Sequence, residues 1–238
     1  MSLKGKGIVV TRPSSLAQGL ARLIEREGGK PFLFPAIEIE PLEPKRPEGG
    51  IDMAVFISPT AVRQGLKHFD KAGKVAALSA GTRRELERNG IRGVIAAEGA
   101  DSEALLAVPE LQSVAGRRIA IFRGEGGREV LGEGLRARGA TVHYVECYRR
   151  VRPASDPAPL VAAWKGGALH AVTVSSAEGL RNLFALLDRE LLAALPLFVP
   201  HERVAGEARR LGAREALVAG PGDDEMAAAL VAYFAHHD

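Results

Sequence analysis

Residues 8–30, IVVTRPSSLAQGLARLIEREGGK, return in altered form as residues 119–141, IAIFRGEGGREVLGEGLRARGAT. In register, Arg12 falls on Arg123, Leu20 on Leu131 and Gly28 on Gly139. Each copy reads the same way: a short apolar run, a polar turn, leucines at three- and four-residue spacing, then glycine. That pattern is a buried strand followed by a helix with one apolar face and a glycine cap. Two further pairs follow in the same order. Residues 54–66, AVFISPTAVRQGL, match 171–183, AVTVSSAEGLRNL, with Ser58 on Ser175 and Leu66 on Leu183. Residues 77–90 match 199–212 with Glu85 on Glu207, and Asp101 then falls on Asp223. Matched pairs recurring in one order mark an internal duplication.

Working outward, apolar runs occur at 8–11, 31–34, 53–57, 74–78, 94–97, 118–122, 141–147, 171–174, 197–199 and 216–219. Most are continuous instead of alternating, as expected of strands covered on both faces in parallel sheets. Helical spacing fills the intervals, for example Leu180, Leu183, Phe184 and Leu187. Strand and helix alternate throughout, so the fold class is α/β, with two similar domains that each hold a five-stranded parallel sheet flanked by helices. The composition agrees: of 238 residues, 46% are hydrophobic and 26% charged, enough for real cores. No apolar run reaches the ~18 residues that cross a membrane, and the N-terminus is too weakly apolar for a signal peptide. A cytoplasmic protein without membrane association is expected.

Duplication alone would divide the chain near 111–116. The proline-rich stretches PLEPKRPEGG (41–50) and RPASDPAPL (152–160) point elsewhere, because proline disfavours helix and central strand. Taking them as hinges gives a discontinuous domain from 1–39 and 154–238, and an inserted domain of 40–153. Linkers are then expected near 38–50 and 149–160, and no long loop is left inside a domain.

Net charge is +3 with an isoelectric point near 9.2, a mild bias spread along the chain. With 5% aromatic residues and no aromatic-plus-basic ladder, nucleic acid is not expected as a partner. One cysteine, Cys147, excludes an internal disulfide framework, and its place on a strand suggests a buried, inert thiol. The histidines at 68, 143, 170, 201, 236 and 237 form no helical ligand pair, so metal binding is not expected. P-loop and nucleophile-elbow motifs are missing. FRGEGGRE after strand 118–122 resembles a phosphate cradle but has Glu129 at the third glycine position of the dinucleotide fingerprint.

In open parallel sheets, ligands bind beyond the carboxyl ends of the strands, where helix N-termini expose N–H groups. The turns there carry Thr11, Arg12, Ser14 and Ser15; Ser58, Pro59 and Thr60; Ser79, Gly81 and Thr82; Arg123 with GEGG (124–127) and Arg128; Ser175 and Ser176; His201, Glu202 and Arg203; and Gly220–Asp223. Each hydroxyl is either a helix cap or a ligand donor, and as a set they describe two donor-rich rims suited to a polyanion. Tyr148 closes the run TVHYVECYRRV just before a proline-rich stretch. It either packs at the hinge or offers a phenolic proton of pKa about 10 toward an inter-domain cleft.

The ordered set TRP (11–13), FISPTAV (56–62), AGT (80–82), FRGEGGRE with Leu131, GATVHYVECYRR (139–150) and VTVSSAEGL (172–180) resembles the uroporphyrinogen-III synthases over nearly the whole chain. The resemblance implies two similar α/β domains joined by a two-stranded linker. It implies a monomeric, cofactor-independent enzyme that closes hydroxymethylbilane into uroporphyrinogen III, losing water and inverting ring D through a spiro intermediate. Tyr148 matches the family's tyrosine and Thr82 a family threonine, which makes these two the catalytic candidates. Arg12, Ser58, Thr60, Arg123, Gly124, Arg128, Ser175, Ser176 and Arg203 are the candidate contacts for a substrate with eight carboxylates. One departure stands out: where relatives carry a Gly-x-Thr-like turn in the second rim, this chain has VPHERVA, and Thr82 aligns with Val204. The alternative is a hinged anion- or nucleotide-binding protein without this activity.

Overall fold

A computed structural model describes residues 2–45, 49–70, 73–99 and 101–237. The chain begins β1 (Gly7–Val10), α1 (Ser14–Arg26), β2 (Lys30–Leu33), β3 (Glu38–Pro41), β4 (Met53–Phe56) and α2 (Pro59–Gly65), the last extended by a short 3-10 turn. Next come β5 (Lys74–Ala77), α3 (Ala80–Arg88), β6 (Ile95–Ala96), α4 (Ser102–Ala107), α5 (Pro109–Gln112), β7 (Arg118–Gly124), α6 (Val130–Ala137) and β8 (Thr141–Val151). The remainder is α7 (Ala158–Lys165), β9 (Ala171–Thr173), α8 (Ala177–Leu186), α9 (Arg189–Ala194), β10 (Leu197–Val199), α10 (Glu202–Leu211), β11 (Ala216–Val218) and α11 (Asp223–His236).

Two compact units result: Met1–Ile39 with Val151–Asp238, and Glu40–Arg150. The first carries a sheet ordered β11-β10-β9-β1-β2, the second one ordered β3-β8-β7-β4-β5-β6. β1 pairs with β2 in the same register as β7 with β8, Gly7 opposite Lys30 and Arg118 opposite Thr141, both parallel. The repeats are therefore exchanged. Strands β1 and β2 of the first copy join β9–β11 of the second, while β7 and β8 of the second join β4–β6 of the first. This reconciles the two conflicting boundaries, since the duplication seam falls inside a unit and the chain crosses between units elsewhere.

The sixth strand of the second sheet, β3, lies in a stretch read as linker. Its residues EIEP have little strand propensity, but an edge strand tolerates a proline because one side of its ladder is open. The long-range pairing of β3 with β8 is what holds it extended. β8 likewise runs on to Val151, past the expected end at 147. Part of the first expected linker, residues 46–48, lies outside the described residues.

Alternation along the buried strands sorts side chains to two faces. In the first unit, Val9, Val172 and Val199 pack against α8 and α10 through Leu180, Leu183 and Val204. Their neighbours Ile8, Val10 and Phe198 pack against α1 and α11 through Leu20, Ile24, Met226 and Leu230. The sheet is thus covered on both sides, each fully buried Leu or Ile contributing about 1.5–3 kcal/mol. In the second unit, Met53, Val55, Ile119 and Ile121 meet Leu105, Leu111, Leu131 and Leu135. Phe56 stacks on Phe122 at 4.4 Å, with Phe69 edge-on to both. Among the described residues, no helix is long and apolar enough to cross a membrane.

Candidate active site

The carboxyl edge of the six-stranded sheet is assembled from the ends of β4, β5 and β7 and the middle of β8. Beyond β4 the backbone of Ser58 is extended, φ −160° and ψ 158°, and its Oγ accepts the Ala61 N–H at 3.0 Å to cap α2. Pro59 at the first helical position, where its missing N–H costs nothing, helps start the helix there. Thr60 follows it, half-buried.

Tyr148 reaches the same place because β8 is bulged. Arg123 pairs with Glu146, but Gly124 pairs with Tyr148, so one residue of β8 is passed over. The bulge breaks inside–outside alternation and turns both Cys147 and Tyr148 inward. Tyr148 is only 2% exposed, and its hydroxyl lies 3.3 Å from Ser58 Oγ. Its carbonyl accepts the Glu125 N–H at 2.8 Å. Gly124 is indispensable to this packing, since a Cβ there would lie 2.7 Å from two ring carbons of Tyr148. Cys147 directs its Sγ toward the Arg123 carbonyl at 3.4 Å, and burial pushes its thiol up to about 11, which keeps it protonated and unreactive.

Thr82 is fully buried at the start of α3, its Oγ1 2.9 Å from Ser79 Oγ, which also accepts the Thr82 N–H at 3.2 Å. Its hydroxyl completes a cap, and Gly81 beside it opens the same helical turn. Arg63 donates to both Glu85 oxygens, at 2.9 and 3.1 Å, and so laces α2 to α3 and holds the two capped starts together.

Arg123, a candidate contact for substrate carboxylates, is engaged within the protein. The residue is 4% exposed, with Glu129 Oε1 at 3.1 Å, Glu146 Oε1 at 3.2 Å and its guanidinium carbon 4.1 Å above the Tyr144 ring. Its charge is spent inside the protein, anchoring the end of β7 to the loop before α6. Tyr144 donates to Glu129 Oε2 at 2.6 Å, and that bond, with Arg123, holds the Glu129 carboxyl below the usual range. Burial, reinforced by Glu129, raises the Tyr144 phenol. Sequence reading missed Tyr144, although it lies four residues before Tyr148 on the same strand. Arg128 remains exposed on the loop, lending only its carbonyl to Arg123.

The edge of the five-stranded sheet is built from the same parts with different endings. Ser176 caps α8, accepting the Gly179 N–H at 3.0 Å, and Ser175 is half-buried beside it. The caps therefore equate Ser58 with Ser176, one residue along from the pairing read in the sequence. Arg12 pairs with Asp223 at 3.0 Å and donates to the Pro221 carbonyl at 2.8 Å, clamping the start of α11 in place of reaching outward. Burial raises the Asp223 carboxyl despite that arginine. Thr11 is buried on the Thr173 carbonyl, and Ser14 donates to Glu38 at 2.6 Å, a tie outside the sequence reading. His201 begins α10 without a side-chain cap, Glu202 pairs with Arg209 at 2.8 Å, and Arg203 is exposed.

Of the expected site residues, Ser58, Gly124 and Tyr148 are thus brought into one contact set. Thr60 flanks it, Thr82 sits behind a neighbouring cap, and Arg12 and Arg123 serve as anchors. Among the described residues, no group of three or more His, Cys, Asp or Glu is placed to hold a metal ion. What the set offers chemically is a neutral hydroxyl donor, with N–H-rich helix starts around it.

The family model for uroporphyrinogen-III synthase HemD matches residues 18–228. The uroporphyrinogen-III synthase of Escherichia coli K12 is 32% identical over 242 residues, covering 92% of this chain and 96% of that protein. The crystal structure of uroporphyrinogen-III synthetase from Helicobacter pylori 26695 aligns with a TM-score of 0.64 at 13% identity, over 96% of this chain and 99% of that one. A mutant uroporphyrinogen III synthase from the extremely thermophilic bacterium Thermus thermophilus aligns with a TM-score of 0.57 at 18% identity, over 98% and 100%. At such identities the two crystal structures speak for the fold.

Proposed function

This chain belongs to the uroporphyrinogen-III synthase family, and from that premise we propose how its own residues carry out the reaction. The enzyme closes hydroxymethylbilane to uroporphyrinogen III in tetrapyrrole biosynthesis, with loss of water and inversion of ring D. The observation that carries this reading is the family match along residues 18–228.

The substrate brings its own nucleophile, a pyrrole carbon, so the protein needs no activated serine or cysteine. Its tasks are to hold the chain in a closing geometry and to assist departure of the terminal hydroxyl. When that C–O bond breaks, its electron pair stays on oxygen, which takes a proton from the protein and leaves as water. The ring nitrogen stabilises the resulting azafulvene cation. Attack by the substituted carbon of ring D gives the spiro intermediate; the bond from that carbon to its original methylene bridge then breaks, the bridge re-attaches at the free α-carbon of ring D, and the hydrogen this carbon loses returns the proton. The Ser58–Tyr148 pair, half-buried and buried respectively at a strand end, supports an assignment of the hydroxyl step to that place. Thr82 acts behind it by fixing Ser79. Thr60, Gly124 and Arg128 in one unit, and Ser175, Ser176 and Arg203 in the other, are the groups we assign to substrate carboxylates. Arg12 and Arg123 keep the strand ends in shape. The same reading takes the enzyme as a cytoplasmic monomer without nucleic-acid partners, which light scattering of the purified protein tests in part.

The decisive experiment is incubation with freshly generated hydroxymethylbilane, followed by oxidation and chromatography of the isomers. The type III porphyrin is the expected product. If only the spontaneous type I isomer forms, the reading fails.

A further inference from the structure

The contact set at the end of β4 contains two hydroxyls, and their surroundings distinguish them. Tyr148 is 2% exposed, wedged over Gly124 and fixed through its own carbonyl by the Glu125 N–H. Ser58 is half-buried and so the more accessible of the two. A buried phenol needs an acceptor for its hydrogen, and Ser58 Oγ lies within reach at 3.3 Å. The opposite polarity, serine donating to phenol, would strand the Tyr148 hydrogen inside the protein. Ser58 Oγ has two lone pairs, and the Ala61 N–H at 3.0 Å takes one. Tyr148 takes the other. Both acceptor positions are then filled from within, and the serine's own hydrogen is left to point away from the protein.

We infer that Ser58, not Tyr148, is the hydroxyl that meets the departing oxygen of the substrate, and that Tyr148 is a positioning residue acting through it. This deepens the cyclase reading and rests on it. In the elimination step the Ser58 proton passes to the leaving oxygen as the C–O bond breaks, and the Tyr148 proton passes to Ser58. The phenolate so formed is reprotonated by the hydrogen that the ring carbon loses at closure. Atoms and charge balance with no further reactant. Gly124 belongs to the same device, because any side chain there would displace the ring that sets the serine's hydrogen.

A double-mutant cycle tests this, with kcat and the type III fraction measured for parent, S58A, Y148F and S58A/Y148F. S58A is expected to lower kcat about a hundredfold, the scale of a lost positioned acid. Y148F is expected to lower it about tenfold in the parent, yet by no more than about twofold once Ser58 is already alanine. S58T, which keeps both cap and hydroxyl, should recover most of the loss in kcat with little change in KM. Thermal unfolding of each variant separates loss of the α2 cap from loss of chemistry. Losses that multiply, or a Y148F defect larger than that of S58A, would overturn the inference while leaving the activity assigned. A parent protein that makes no type III product would instead remove the cyclase reading itself.

Discussion

Five strands of one sheet share an order and a register with those of the other, yet among the described residues the facing hydroxyls, Ser58 with Tyr148 and Ser79 with Thr82, lie at one edge. Carrying the Arg12–Arg123 register forward sets Ile37 opposite Tyr148 and Pro13 opposite Gly124. Ile37 is buried 3.6 Å from where a side chain on Gly179 would begin, beside the cap made by Ser176. One unit thus presses an aliphatic side chain on a helix start, and the other presses a phenol. The glycine is retained where the phenol lies, and a bulkier residue stands where it does not. Duplication supplied a scaffold twice. Polar chemistry was written into one unit, from residues of both copies, and the comparison shows which of the similar parts are structural in both.

The strongest way to break the comparison is Gly124→Ala. The added methyl displaces the Tyr148 ring and with it the Ser58 hydroxyl that the ring sets, and misplacement of a reacting group by about 1 Å costs on the order of a hundredfold. Type III formation should fall by that amount, whereas Pro13→Ala, its counterpart, should leave the rate within about twofold. Next come the paired arginines. Arg123→Ala uncovers a buried site and two carboxylates, and should cost about 2–3 kcal/mol in urea unfolding, discounted from a fully buried pair because both acids are partly solvated. Arg12→Ala, with its side chain 18% exposed and one carboxylate partner, should cost about 1 kcal/mol. A larger loss at Arg12 would reverse the ranking of the two edges.

Smaller effects on stability sharpen the contrast. Ser58→Ala and Ser176→Ala each remove a cap and should each lower stability by about 1 kcal/mol, but only the first should reduce kcat. Equal catalytic losses would spread the chemistry over both edges. Smallest of all is a difference in pH dependence. Glu129 titrates below its ordinary 4.5 in the folded state, held there by Tyr144 and Arg123, so its contribution is present above that value and lost as pH falls through the folded one. Asp223 titrates above its ordinary 3.8 because it is buried, so protonation on acidification favours the folded state. The stability deficit of Glu129→Gln should therefore shrink toward acid, and that of Asp223→Asn should grow, as read from urea midpoints between neutral pH and pH about 3.

Much of this was legible beforehand for physical reasons. The apolar runs became strands, and in β1, β4, β9 and β10 the whole run is buried, which leaves an unbroken hydrophobic signature. The caps at Ser58, Ser79 and Ser176 were legible because a hydroxyl before a helix has a local role. β3 was not, since EIEP is extended only by its distant partner β8. Nor was the direction of side chains at strand ends. Arg12 and Arg123 sit where spacing put them, but their partners Asp223, Glu129, Glu146 and Tyr144 come from register and loop path. The bulge that turns Tyr148 inward is a matter of one residue's slip, which periodicity does not encode.

The exchange of strands between the repeats also orders events during synthesis. Residues 40–150 form a contiguous unit and can condense while the ribosome is still at work. The opening β1 and β2 must stay open until β9, the neighbour of β1, emerges more than a hundred residues later. A nascent chain halted after β8 would carry one finished lobe and an orphaned apolar hairpin-sized fragment, Gly7–Leu33, in search of a sheet. That interval is when this protein is most exposed to aggregation and most in need of a chaperone's hold.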